Sequence, residues 1–189
     1  MLNRLLSWSH TTLYGLVGIG GAVVVAAWLN GWDDLLSALP GAVTMKFMTA
    51  MLFIICSVGL AMRARSRDVA WTMAAALVLL VCGSLFAQFG TGTQFYAGND
   101  SASYTVAPGQ PSIGTLVSFG LVGLGLLDMF KASILSAALI IVSGAALVGY
   151  LLGEPALYYY WPRWSTGMAV HTAVFFSMLG VGMWLEDRQ

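Results

Sequence analysis

The sequence predicts an all-α integral membrane protein with six transmembrane helices, and three observations lead there. Hydrophobic residues make up 59% of the 189-residue chain and charged residues only 8%, where a soluble domain carries about 25% charged residues. The mean hydropathy is +0.83. Six apolar runs approach the roughly 20 residues that a helix needs to cross a bilayer core of about 30 Å. So little charge cannot cover a water-facing surface. The net charge is zero, and no basic stripe follows a phosphate backbone, so the expected partner is the lipid bilayer and not nucleic acid.

The first run, 11–29, follows a lone Arg4 and could imitate a secretory signal. Leu13 to Leu29 is long enough to span, however, and no A-x-A cleavage site follows, so it reads as a retained first helix. The second run, 42–62, begins behind Pro40-Gly41. The third, 69–90, and the fourth, 112–129, flank the breaker-rich stretch from Gly90 to Pro111. The fifth, 132–152, and the sixth, 166–185, flank Glu154-Pro155 to Pro162. Together they fill one membrane domain, 1–189. Cys56 and Cys82 fall inside apolar runs at different depths, which points to packing and not to a disulfide.

Orientation follows from the basic residues. Arg4, Arg63, Arg65, Arg67, Lys131 and Arg188 lie at the termini and the two short turns, which share one side of a six-helix topology. Arg163 and Lys46 lie towards the other. Both termini are therefore expected on the cytoplasmic side of a bacterial inner membrane, with outer loops at 30–41, 91–111 and 153–165. The aromatic run from Tyr158 to Trp164 is expected to be an interfacial belt; a lid over an outward-facing pocket is the alternative.

Self-similarity is the most informative feature. In the second, fourth and sixth helices a Thr (Thr49, Thr115, Thr172) is followed at fixed spacing by Phe53, Phe119 or Phe176. Ser57, Gly123 or Gly180 comes next, then Gly59, Gly125 or Gly182, and then Leu60, Leu126 or Met183. The odd helices agree more weakly, Ala75 to Gly83 with Ala137 to Gly144, each leading to a Gly at Gly92 and Gly153. The first keeps only its glycines and Asn30-Gly31. The unit is thus a helical hairpin used three times, 11–62, 69–129 and 132–185. Such parallel repeats are related by an axis along the membrane normal, which predicts a pseudo-threefold arrangement.

Within the motif, Thr and Phe share a helix face, and the small residues allow close helix approach in lipid. Packing accounts for the glycines better than any chemistry does. Packing does not account for the position of the threonines at the outer ends of their helices. If the motif helices line the axis, Lys46, Thr49, Ser112, Thr115, His171 and Thr172 converge on a shallow outward-facing ligand site.

The segments Met45 to Ala50, Pro111 to Thr115 and Met168 to Ala173, each leading into a Phe- and Gly-containing run, carry a resemblance. Over about 10–185 the chain resembles the multi-helix membrane sensor region at the N-terminus of bacterial histidine kinases and diguanylate cyclases. That resemblance implies a sensor whose last helix leads into a cytoplasmic output module. Here the sequence closes at Glu186-Asp-Arg-Gln189, so the expectation is a stand-alone sensor module, or a relative serving as a subunit of a larger assembly.

The remaining polar residues weigh as follows. His171, ionisable within a membrane helix, is either bonded to a neighbouring helix or water or recognises a ligand or pH. His10 cannot join it as a haem ligand, because the two lie at opposite ends of the bundle, some 20 Å apart in depth at about 1.5 Å per residue. Lys46 is expected to snorkel to the interface, or to contact an anionic ligand or headgroup. Asp128 and Lys131 are expected to pair across their turn, with Arg63, Arg65 and Arg67 serving orientation and anionic lipid. The ten methionines are scattered, as soft packing would scatter them, and the sequon at Asn99 carries no meaning in a bacterial protein. No nucleophile–base pair, carboxylate dyad or P-loop occurs, so no enzyme is expected. The sequence names no cofactor. The expected function is a non-enzymatic membrane sensor or ligand-binding module, whose expected partners are other membrane subunits or a cytoplasmic signalling protein. An accessory subunit of a respiratory, photosynthetic or transport complex is the alternative, and a small transporter is the third reading.

Overall fold

The computed structural model describes residues 2–40, 42–86, 109–159 and 166–188, with side chains from Ser9 onward. These residues form seven α-helices and no strand: α1 (Leu2–Asn30), α2 (Phe47–Met62), α3 (Arg67–Phe86), α4 (Ile113–Leu126), α5 (Ala132–Leu152), α6 (Ala156–Tyr159) and α7 (Val170–Glu186), with one 3-10 turn, Asp33–Leu35. Three are long and apolar enough to cross a membrane: α1 over Ser9–Asn30, α3 and α5. Only 33%, 28% and 33% of these apolar windows is buried inside the protein, so most of each faces outward. Ile19, Leu79, Ile141 and Leu151 are among the exposed side chains.

The helices α2, α4 and α7 are shorter than expected, with 16, 14 and 17 residues, or about 24, 21 and 26 Å at 1.5 Å per residue. The sequence placed their starts at 42, 112 and 166. Residues 43–46 and 166–169 are instead non-helical and largely buried, whereas α4 starts one residue after the expected 112, behind the buried segment 109–112. Hydropathy reports burial and not backbone angle, which is why an apolar extended segment reads as helix. The fourth helix also ends three residues before the expected 129, because Asp128 takes a left-handed φ of 55° and stops it.

The longer helices close a ring in which each touches the next: α1 with α2, α2 with α3, α3 with α4, α4 with α5, α5 with α7 and α7 with α1. Inside the ring, α2 also meets α4 and α7. At its centre Phe53, Phe119 and Phe176 are fully buried, with ring centroids 4.9, 4.7 and 4.8 Å apart for the three pairs. Separations of 4.5–7 Å with tilted rings are the favourable aromatic geometry.

The motif glycines explain how the inner helices come so close. A Cβ on Gly59 would lie 3.0 Å from Leu126, and one on Gly125 would lie 2.6 Å from Met183. The large motif residue of α4 thus seats on the motif glycine of α2, and that of α7 on the glycine of α4. On Gly182 the seat is taken by Tyr14 of α1.

Two turns repeat bond for bond. After α1, Gly31 (φ 69°) ends the helix, Trp32 N–H donates to Ala27 C=O, and Met45 N–H returns to Leu36 C=O. After α5, Gly153 (φ 68°) does the same, Glu154 N–H donates to Gly149 C=O, and Met168 N–H returns to Tyr158 C=O. The left-handed residue followed by a six-to-one bond is a Schellman cap, which glycine adopts without steric penalty.

Candidate functional site

The buried extended segments deliver α2, α4 and α7 to the same end of the ring with their N-termini in one geometry. The residues preceding them, Lys46, Ser112 and Ala169, have φ/ψ of −74/148°, −67/156° and −67/152°. Each motif threonine is then the third residue of its helix. Thr49, Thr115 and Thr172 are 2%, 2% and 1% exposed, so none lies on the outer surface of the bundle. Thr and Phe four apart lie on one helix face, the Thr one turn nearer the N-terminus. The threonines therefore stand above the Phe53–Phe119–Phe176 floor. That floor shuts the centre of the ring.

The surrounding groups are polar and almost wholly buried. Lys46, 2% exposed, does not snorkel; its Nζ donates to Thr44 Oγ1 at 3.1 Å. Ser112 Oγ accepts from Thr115 N–H at 3.1 Å and pairs with Thr115 Oγ1 at 2.8 Å, an N-cap that satisfies one of the four orphan donors of α4. His171, second residue of α7, is partly buried. Both its ring nitrogens are enclosed without a hydrogen bond.

Four residues of this end were missed by sequence reasoning. Trp28 Nε1 donates to Met45 C=O and Tyr150 Oη to Met168 C=O, each at 2.9 Å. They anchor the two extended segments to α1 and α5. Each stands three residues before the left-handed glycine, in Trp-Leu-Asn-Gly and Tyr-Leu-Leu-Gly, and that match was the available signal. Gln110 and Thr166 are also buried here, hidden in segments that read as loop and as helix.

The opposite end corrects the expected Asp128–Lys131 pair. Asp128 binds Arg63 and, at 3.8 Å, Arg67, because its left-handed backbone turns the carboxylate towards the α2–α3 turn. Two arginines assigned to orientation and anionic lipid therefore tie α4 to that turn. Nearby, Tyr14 Oη donates to Glu186 Oε2 at 2.9 Å. Cys56 is buried, but Cys82 is exposed on α3 and does not pack internally; both are free.

Several expectations fall outside the described residues: the end of the third helix and Gly92, the sequon, and the aromatic run from Tyr160 to Trp164 with Arg163. Of that run Tyr158 is described; it stacks on Tyr150 with centroids 4.1 Å apart. Among the described residues no three His, Cys, Asp or Glu side chains group as a metal site. Compared with protein-family models, curated proteins and solved structures, the chain matches none.

Proposed function

We propose that this chain is a six-span membrane sensor module of three pseudo-threefold hairpins, binding a small ligand outside the cell. In this reading α1, α3 and α5 span the bilayer whole. The shorter α2, α4 and α7 span it together with the buried extended segments that precede them. Irregular backbone at membrane depth is tolerated where protein buries it, and interrupted helices of this kind mark binding sites in other membrane proteins. The excess of Arg and Lys at the Arg63–Asp128 end supports a cytoplasmic position for that end, and with it an outward-facing threonine end in an inner membrane.

One observation carries the proposal: three threonines at the same position of three helices stand over one aromatic floor. The floor supports binding in preference to conduction along the axis. Three helix N-termini and the buried Lys46 favour a small anion or a ligand rich in hydrogen-bond acceptors. A ligand drawing α7 towards α2 and α4 would shift Glu186 against Tyr14. That is a route to a cytoplasmic signalling partner, as the resemblance to histidine kinase and diguanylate cyclase sensor regions suggests.

The test is thermal unfolding of the purified protein against a panel of small carboxylates, phosphate and amino acids. Wild type is compared with a Thr115→Val/His171→Ala variant. A stabilising ligand whose shift disappears in the variant supports the site; equal shifts in both remove it. Stoichiometric co-purification with a respiratory or transport complex in mild detergent would favour an accessory subunit instead.

A further inference from the structure

Between α5 and α7, on the face turned away from the ring, lies an apolar groove of about 430 Å³ lined by Ala137, Ile140, Ile141, Val181 and Trp184. Its walls are half open: Ile141, Val181 and Trp184 are 70%, 39% and 37% exposed. Glycine makes the groove. A Cβ on Gly180 would lie 2.7 Å from Ile140 and 3.2 Å from the Ser136 carbonyl, so α7 sits against α5 there and the larger side chains splay outward.

The register of the pair places charge at one mouth. Ser143 Oγ meets Ser177 Oγ at 2.9 Å, and Gly180 lies against Ser136 and Ile140. Carried on in antiparallel register, this sets Arg188 level with Ala132, beside Lys131. Arg188 is held over the Trp184 ring, 3.8 Å from its centroid, so the guanidinium is fixed at the groove's end by a residue that also lines it. Most nearby acids are engaged elsewhere: Glu186 accepts from Tyr14 and Asp128 binds Arg63 and Arg67. Asp187, exposed at the end of α7, precedes Arg188 and offsets part of that charge. The groove is thus an apolar slot whose mouth carries two cations against one exposed carboxylate.

We propose that this groove is a site for one anionic phospholipid, its acyl chain along Ile140, Ile141 and Val181 and its headgroup at Lys131 and Arg188. Apolar length with cationic charge at one end matches an acidic lipid and neither half alone. Cationic side chains at a membrane surface draw anionic headgroups in this way. Trp184, amphipathic and at the mouth, suits the headgroup level. The inference rests on the reading of the chain as bilayer-embedded, with α5 spanning.

The test is native mass spectrometry of the full chain released from micelles holding equal phosphatidylglycerol and phosphatidylcholine. Wild type should retain one phosphatidylglycerol in preference to phosphatidylcholine. The preference should fall about fivefold in Lys131→Gln or Arg188→Gln and about thirtyfold in the double variant, as two interfacial charges predict. Val181→Trp, which fills the groove from its open side, should release both lipids alike at unchanged thermal stability. Equal retention of the two lipids by wild type, or a preference that survives the double variant, overturns the proposal. Protein that stays soluble and lipid-free without detergent overturns the membrane reading itself, a different failure.

Discussion

Replacing Phe119 by Ala removes one of the three rings at the centre of the fold. In water a buried Phe→Ala change costs about 3–5 kcal/mol, much of it transfer from solvent. On the proposed bilayer-embedded reading the unfolded chain lies in lipid as apolar as the core, so that part falls away. What remains is ring geometry and lost contact. Phe119 meets Phe53 at 4.9 Å and Phe176 at 4.8 Å; two such pairs contribute about 1–3 kcal/mol together, and the unfilled void adds about 1 kcal/mol. The expected loss is about 2–4 kcal/mol. Phe53, which also meets Phe175 at 5.2 Å, should lose the most. The control is Phe130→Ala, 55% exposed in the turn after α4, expected within about 0.5 kcal/mol of wild type. The assay is reversible unfolding by sodium dodecyl sulfate in mixed micelles, followed by tryptophan fluorescence. A Phe119→Ala loss no greater than that of Phe130→Ala would refute the reasoning, as would strict additivity of Phe119→Ala with Phe176→Ala.

Other outcomes follow from the same geometry, measured by the same assay. Ser112→Ala removes the α4 cap and should cost about 1 kcal/mol. Gly180→Leu, driven into Ile140 and the Ser136 carbonyl, should cost about 1–3 kcal/mol, whereas Gly120→Ala, with open space around it, should be neutral or stabilise by about 0.5–1 kcal/mol. Ser57→Ala removes a buried hydroxyl that has no hydrogen-bond partner, keeps its Cβ, and should stabilise by about 1 kcal/mol.

The fold was legible where chemistry marks a boundary. The fifth helix was read to the residue, since Lys131 precedes it and Gly153 adopts the left-handed cap that ends it. The starts of α2 and α7 were not legible, whereas that of α4 was read to within one residue. Val43, Met45, Met168 and Ala169 are as apolar as a helix interior, and only their backbone angles distinguish them. The repeat located Thr49, Thr115 and Thr172 at matching positions, because spacing on one face survives sequence drift. Burial of Lys46 contradicted the snorkelling expected from its place near an interface, since one-dimensional depth does not reveal a neighbouring segment folded across it. The bonds of Trp28 and Tyr150 reach backbone carbonyls, which carry no residue identity. Asp128 was paired with the nearer Lys131 because sequence distance, and not backbone handedness, guided the choice.

The central claim is that three threonines gather above one floor at the outer end of the ring. It is tested most directly by placing Cys pairwise at Thr49, Thr115 and Thr172 in a Cys56→Ser/Cys82→Ser background. Short membrane-impermeant bifunctional thiol reagents are then applied to sealed spheroplasts, and intramolecular bridges are scored by mass spectrometry. All three pairs should bridge from the outside. Bridging that requires permeabilised membranes, or that occurs in one pair alone, would contradict the account.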